Sequence, residues 1–225
     1  MALAEAAPMP PPLVARAAEL VGHSVRGRPI TLLERGDETS PRVVLVVGCI
    51  HGDECAGLAV TRRLARRAPR GFRLWIVPNL NPDGRAARTR QNARGVDLNR
   101  NFRARWRAVG SRWDPEYPGP RPFSEPETRV ARRLILRLRP DVTVWYHQPQ
   151  AVVRAWGRSR AAARRYARAA GEPYRSIRWP NGTGPRWQNT KLRQGAAFVV
   201  ELRPGRLPAK AAARHVHAVR VLGAG

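Results

Sequence analysis

The amino-acid sequence predicts a single α/β domain whose mixed, mostly parallel, twisted sheet is flanked by helices on both faces. Apolar runs of strand length alternate along the chain with segments of helical periodicity, as they do in α/β proteins. Three of the four apolar runs are nearly continuous, which is typical of strands that are covered on both faces. Helices are therefore expected on each side of the sheet.

The strands and helices follow one another in a regular order. The predicted strands cover residues 42–48, 72–79, 142–147 and 196–202, and the predicted helices cover 54–68, 125–139, 159–170 and 209–222. Ser124 and Glu127 have the spacing of a capping box at the start of the second helix, and Pro126 is suited to its first turn. In sheets of this kind, ligands bind beyond the carboxyl ends of the strands.

The length of 225 residues suits one α/β domain. We predict a flexible, Pro-rich lead-in at 1–12 and one domain at 13–225, because no later linker or internal repeat divides the chain. No segment approaches the roughly 20 apolar residues of a membrane span. The N-terminal residues also lack the basic segment and unbroken apolar run of an export signal, so a cytoplasmic protein is expected.

The formal net charge of +26 suggests an anionic partner. A simpler explanation is coding bias, because only Lys191 and Lys210 among the 42 basic residues are lysines. The arginines are scattered along the chain, and no nucleic-acid-binding motif is present. No specific nucleic-acid partner is therefore expected.

The only cysteines, Cys49 and Cys55, lie on either side of the motif HGDE. Two residues cannot form a disulfide framework or a CxxC zinc knuckle. Small buried side chains are the favoured interpretation, and a ligand or redox role is the alternative.

His51 and Glu54 form an HxxE motif where a predicted strand turns into a helix. Residues three apart lie one helical turn apart, so an imidazole and a carboxylate can face one point, as a zinc ion requires. A structural histidine is the common alternative at such a position. His147 and Glu201 also fall at or just past strand ends, where a ligand site is expected.

Motifs along nearly the whole chain resemble those of the zinc carboxypeptidases, specifically the murein peptide amidase-like branch. They run in order from GHSVRGRPI at 22–30 through HGDE, NPDG, RQNARGVDLNRNF, YPGPRPFSEPET and YHQP to VVEL at 199–202. The resemblance implies one Zn²⁺ ion held by His51, Glu54 and His147, with a water in the fourth position. It also implies that Glu201 is the general base, that Arg90 polarises the scissile carbonyl, and that Asn99 and Arg100 bind the terminal carboxylate.

The same resemblance implies a zinc metallocarboxypeptidase or amidase that hydrolyses the C-terminal amide bond of a small peptide. The implied substrate is murein tripeptide, cut between γ-D-glutamate and meso-diaminopimelate during peptidoglycan recycling. An N-acyl amino-acid deacylase of the aspartoacylase or succinylglutamate desuccinylase type is one alternative, although RQNARGVDLNRNF and SEPET favour the carboxypeptidases. A basic, non-enzymatic polyanion binder is another.

The sequence departs from the classical digestive carboxypeptidases in one respect. Those enzymes carry a mobile tyrosine shortly before the general base, but no tyrosine lies between Gly182 and Glu201. We assign that role to no residue. The polar loop at 178–195 is expected to line the pocket for the substrate side chain.

Overall fold

Residues 13–224, which this computed structural model describes, form nine strands and six α-helices. The strands are β1 (Leu13–Ala15), β2 (Glu19–His23), β3 (Pro29–Asp37), β4 (Val43–Val47), β5 (Arg73–Val77), β6 (Val142–His147), β7 (Val152–Ala155), β8 (Tyr174–Ser176) and β9 (Ala196–Glu201). The helices are α1 (Gly57–Arg66), α2 (Pro82–Ala87), α3 (Pro126–Leu138), α4 (Arg160–Ala170), α5 (Gly184–Lys191) and α6 (Ala209–Gly223). The lead-in predicted at 1–12 lies outside the described residues.

The strands form one mixed sheet in the order β1-β3-β5-β4-β6-β9-β7-β8, with β2 paired to β3. Its centre, β5-β4-β6-β9, is parallel. Antiparallel pairs join this centre to β3 on one side and to β7 on the other. The predicted mixed sheet is confirmed, and its parallel part holds the apolar runs that indicated it.

Helices cover both faces of the sheet, as predicted. On one face of β6, Thr143 Oγ1 accepts a hydrogen bond of 2.7 Å from Gln188 Nε2 in α5. On the other face, the hydroxyl group of Tyr146 lies 2.8 Å from that of Tyr166 in α4, which lies 2.8 Å from His215 Nδ1 in α6. Successive side chains of a strand point to opposite faces, so these contacts place α5 opposite α4 and α6.

All four predicted strands and all four predicted helices are present, with ends that differ by up to three residues. The sequence pattern does not predict β1, β2, β3, β7, β8, α2 or α5. Helix α2 begins inside NPDG, where the side chain of Asn81 accepts a hydrogen bond of 2.9 Å from the backbone N–H of Gly84. Helix α5 lies within the segment that was expected to be a loop.

The predicted capping box at the start of α3 is wrong. Ser124 donates its hydroxyl hydrogen to Glu125, and Glu127 accepts hydrogen bonds from the backbone N–H of Val25 and from the side chain of Asn92. Glu127 is buried, so these tertiary donors replace the local one. Pro126 does occupy the first turn, as predicted. Among the described residues, no helix combines the length and hydropathy of a membrane span.

Candidate active site

Predicted site residues lie at the carboxyl ends of neighbouring strands. His147 ends β6 and Glu201 ends β9, and these two residues are paired in the parallel register. His51 follows β4, the strand on the other side of β6. The sheet order therefore brings together residues that are distant along the chain.

The turn that carries His51 and Glu54 depends on a close backbone approach at Gly52. A Cβ atom at this position would lie 1.9 Å from the carbonyl carbon of Gly84 in α2. Glycine removes this overlap, so the turn can pack directly against α2. The packing fixes the backbone between the two predicted metal ligands.

The three predicted metal ligands converge. His51 Nδ1 lies 3.0 Å from Glu54 Oε2 and 3.2 Å from His147 Nδ1, and His147 Nδ1 lies 2.9 Å from Glu54 Oε2. In a tetrahedral zinc site with bonds near 2.0 Å, ligand atoms lie about 3.3 Å apart. Two imidazole nitrogens and one carboxylate oxygen at this spacing fit a zinc ion and leave a fourth position open.

The protonation of the two imidazoles also suits metal binding. Burial lowers the pKa of His147, which favours the neutral form that a metal ligand needs. For His51, burial acts in the same direction, but Asp97 and Glu54 outweigh it and raise its pKa. A proton and a metal ion therefore compete for His51, and metal binding should release protons.

Asp97 contacts His51 on Nε2, the ring nitrogen that does not face Glu54 and His147. Its Oδ1 lies 2.9 Å from His51 Nε2 and accepts a hydrogen bond of 2.8 Å from the backbone N–H of Asn99. Although burial opposes its charge, His51 and Arg90 lower the pKa of Asp97, so it is a carboxylate. A carboxylate that orients a metal-binding imidazole also strengthens it as a ligand.

We expect Asp97→Asn to weaken zinc binding by roughly 10–100-fold, because the amide lacks the charge that orients and polarises His51. Competition with a chromophoric chelator measures this change. Asp114→Asn removes the same charge from an exposed position and is the control. Equal zinc affinity in both variants would mean that Asp97 acts only on the local turn.

Arg90, Asn99 and Arg100 all line the same cavity as the three metal ligands. Arg90 donates to Glu54 Oε1 (2.6 Å) and to Asp97 Oδ2 (3.1 Å). Asn99 Oδ1 accepts a hydrogen bond of 2.9 Å from the backbone N–H of Gly184. Each of these side chains is therefore held in place before any substrate binds.

Arg100 is anchored by two oxygen acceptors. It donates to the backbone carbonyl of Asn99 at 3.0 Å and forms a short ion pair with Glu116. The structure thus brings these predicted substrate-binding residues to the site. Their roles in binding or catalysis stay predictions.

Glu201 is buried in the cavity, and among the described residues it forms an ion pair with Arg154, whose Nη1 lies 3.6 Å from Glu201 Oε1. Among the described residues, Glu201 Oε2 has no hydrogen-bond partner. Burial raises the pKa of Glu201 to about 7, and Arg154 only partly opposes this rise. A carboxylate with a pKa near neutrality is suited to take a proton from water.

Gln148 and the two cysteines also support the site, which the sequence did not indicate. Gln148 accepts a hydrogen bond of 2.9 Å from the backbone N–H of Ala56 and donates one of 2.7 Å to the carbonyl of Arg203. Cys49 and Cys55 form a disulfide, with Cα atoms 4.9 Å apart. Cys49 is buried, as predicted, but Cys55 is only half-buried. The turn between them brings the two sulfurs together, so the interpretation of both cysteines as small buried side chains is wrong.

The site cavity has a volume of about 240 Å³. Trp179, Pro180, Thr183 and Pro185 line one side, which confirms that the segment 178–195 contributes to the pocket, although part of it is helical. No tyrosine is among the described residues that line the cavity. The cavity, as far as the structure describes it, therefore also lacks the mobile tyrosine of the classical digestive carboxypeptidases.

Comparisons with known proteins agree with this geometry. The family model described as zinc carboxypeptidase matches residues 11–209. Murein peptide amidase A of Escherichia coli is 35% identical over 148 residues, which cover 60% of this chain and 60% of that protein. Murein peptide amidase A of Vibrio campbellii is 33% identical over 159 residues, which cover 63% and 64%. The aligned part thus spans less than two thirds of these relatives.

Solved structures show the same fold. The murein-tripeptide amidase MpaA from Escherichia coli superposes with a TM-score of 0.72 and 26% identity, covering 92% of this chain and 91% of that one. Carboxypeptidase A from Helicoverpa armigera gives a TM-score of 0.78 at 20% identity, covering 92% and 67%. The second likeness bears on the fold alone.

Proposed function

Because the chain belongs to the zinc carboxypeptidase family, we propose that it is a zinc-dependent carboxypeptidase or amidase that hydrolyses the C-terminal amide bond of a small peptide. The observation that carries this proposal is the convergence of His51, Glu54 and His147 in one cavity with Glu201. Three protein ligands with an open position are typical of catalytic zinc sites. A zinc ion held there would lower the pKa of a bound water towards about 7 and polarise a carbonyl group.

The protein's own side chains supply the remaining steps of this mechanism. Arg100 and Asn99 bind the terminal carboxylate and thereby orient the last amide bond over the metal site. Glu201 accepts the proton of the attacking water and returns it to the leaving amine. Arg90, already fixed by Glu54 and Asp97, stabilises the negative charge that develops on the carbonyl oxygen.

The proposed substrate is murein tripeptide, cut between γ-D-glutamate and meso-diaminopimelate. Two relatives are named for murein peptides, and one solved structure for the murein tripeptide. Such a peptide is anionic, and three arginines line the cavity: Arg90, Arg100 and Arg154. Opposite charge favours entry of the substrate.

Incubation of zinc-loaded protein with L-alanyl-γ-D-glutamyl-meso-diaminopimelate tests the proposal. We expect stoichiometric release of free diaminopimelate, detected by amine derivatisation and chromatography. N-acetylaspartate and N-succinylglutamate serve as comparison substrates for the deacylase alternative. Faster cleavage of either acyl amino acid, with the tripeptide intact, would contradict the proposed function.

A cytoplasmic location is part of the same proposal. The disulfide between Cys49 and Cys55 stands against it, because disulfides are rare in the reducing cytosol. Cell fractionation, combined with alkylation of free thiols under denaturing conditions, distinguishes a cytoplasmic protein from an exported one. Free thiols in a cytosolic fraction would support the proposed location, and an oxidised pair in an exported fraction would overturn it.

A further inference from the structure

The three arginines in the site cavity differ in how well they are bonded. Arg90 is paired with Glu54 and Asp97, and Arg100 with Glu116. Arg154 donates no side-chain hydrogen bond to any of the described residues, and its buried Nε has no partner. Within the described part of the chain, its one ion pair, to Glu201, is long at 3.6 Å.

This bonding state is unusual for a guanidinium group in a cavity. An arginine side chain has five N–H donors, and leaving a buried donor such as Nε of Arg154 unpaired destabilises the folded protein. Glu201 cannot satisfy them fully if it is to act as a free base. The arrangement therefore points to an acceptor that arrives with the substrate.

The strand register places the backbone of Arg154 further back along the sheet than Glu201. Arg154 of β7 is paired with Val199 of β9, two residues before Glu201 and the strand end. Two residues of a strand span about 6.7 Å, so the backbone of Arg154 lies roughly that far back along the sheet, and its side chain extends from there to within 3.6 Å of Glu201 Oε1. Ile177, Trp179 and Val199 line the cavity with apolar surface.

We propose that Arg154 determines specificity by binding a carboxylate at the end of the side chain of the C-terminal residue. This inference rests on the proposed function and adds the feature of the substrate that the pocket selects. A guanidinium group binds a carboxylate with two parallel hydrogen bonds. Glu54 and Glu201, both assigned to the chemistry, are the only acidic residues of the described chain that line the cavity.

Diaminopimelate has the features that this pocket requires. Its side chain has three methylene groups, which suit an apolar wall, and ends in a carbon that carries a second carboxylate. The reach from its α-carbon to that carboxylate is about 6 Å. Lysine has a similar chain and amino group but lacks the carboxylate, so its ammonium group would face Arg154 unpaired.

The test compares kcat/KM for two tripeptides that differ only in their last residue, meso-diaminopimelate or L-lysine. We expect the wild-type protein to prefer diaminopimelate by about 100-fold or more, because a site built to bond a polar group rejects the analogue that lacks it. In Arg154→Gln, this ratio should fall below about 10, mainly through a higher KM for the diaminopimelate peptide. Arg154→Lys, which keeps the charge but not the two-pronged geometry, should be intermediate.

The ratio of kcat/KM for the two tripeptides separates recognition of the substrate side chain from an effect of Arg154 on the general base, Glu201. Loss of Arg154 also changes the surroundings of Glu201, but that change affects both tripeptides alike and cancels. An unchanged ratio with both activities reduced would overturn the inference. Arg168→Gln is the control, because Arg168 is an exposed arginine of α4 that does not line the cavity.

Binding supplies a readout without turnover. Calorimetry should show tighter binding of free meso-diaminopimelate than of lysine by the wild-type and Arg168→Gln proteins, with the difference lost in Arg154→Gln. If the wild type cleaves neither tripeptide, the proposed function fails. Peptides ending in glutamate or glutamine then test the role of Arg154, by the ratio of their kcat/KM values and by calorimetry. If the preference for glutamate over glutamine, in kcat/KM and in binding affinity, were the same in the wild type and in Arg154→Gln, the inference would be overturned.

Discussion

Glu201→Gln is expected to lower kcat for C-terminal hydrolysis by about 10²–10⁴-fold while zinc binding is retained. The carboxamide keeps the size of the side chain but cannot accept the proton of the attacking water. Glu201 is not among the three converging ligands, so its replacement leaves the metal site intact. Steady-state kinetics with the tripeptide and elemental analysis of the purified variant measure both quantities.

The control for this variant is Glu19→Gln, which removes a carboxylate from an exposed position on β2. It should retain wild-type turnover. If Glu201→Gln retained more than a tenth of the wild-type kcat, the proton would have to be taken by another group. The proposed chemistry would then need a different base.

The same variant separates an enzyme from a basic polyanion binder. Polyanion binding depends on the summed positive charge and weakens with salt, so it should survive both Glu201→Gln and His51→Ala. Hydrolysis should be lost in both. The high net charge alone therefore cannot explain the protein if turnover depends on these two residues.

The sequence was most informative where the fold is most constrained. β4, β6 and β9 lie in the parallel centre of the sheet, so their apolar runs were visible without any structure. Site residues at or after their ends could be assigned to one edge because parallel strands share a direction. The convergence of His51 and His147 follows from that order.

What the sequence missed depends on contacts between distant segments. Glu127 has the right spacing for a cap, but its carboxylate is used by Val25 and Asn92 instead. Asp97 binds His51 from a separate loop, which no spacing rule could show. Arg154 lies on a four-residue strand, β7. The pairing of β7 with β9 brings Arg154 to the cavity, and the sequence does not show this pairing.

His147→Ala is expected to abolish both zinc binding and hydrolysis. Its effect on zinc affinity should be larger than that of Asp97→Asn. It removes one of the three protein ligands found among the described residues, whereas Asp97→Asn removes a group that orients a ligand and should weaken zinc binding roughly 10–100-fold. Zinc should raise the melting temperature of the metal-depleted wild type, because an ion that binds only the folded state stabilises it. It should not do so for His147→Ala.

The control is His217→Ala, which removes an exposed imidazole of α6 that is outside the site. Chelation should inactivate the wild type and this control, and added zinc should restore both, whereas His147→Ala should stay inactive. Stoichiometric zinc in purified His147→Ala, or a zinc-dependent rise in its melting temperature equal to that of the wild type, would contradict the assigned ligand set. Such a result would place the metal away from the point where β4, β6 and the start of α1 meet, and the roles of Glu201, Arg90 and Arg154 would have to be assigned again around the new position.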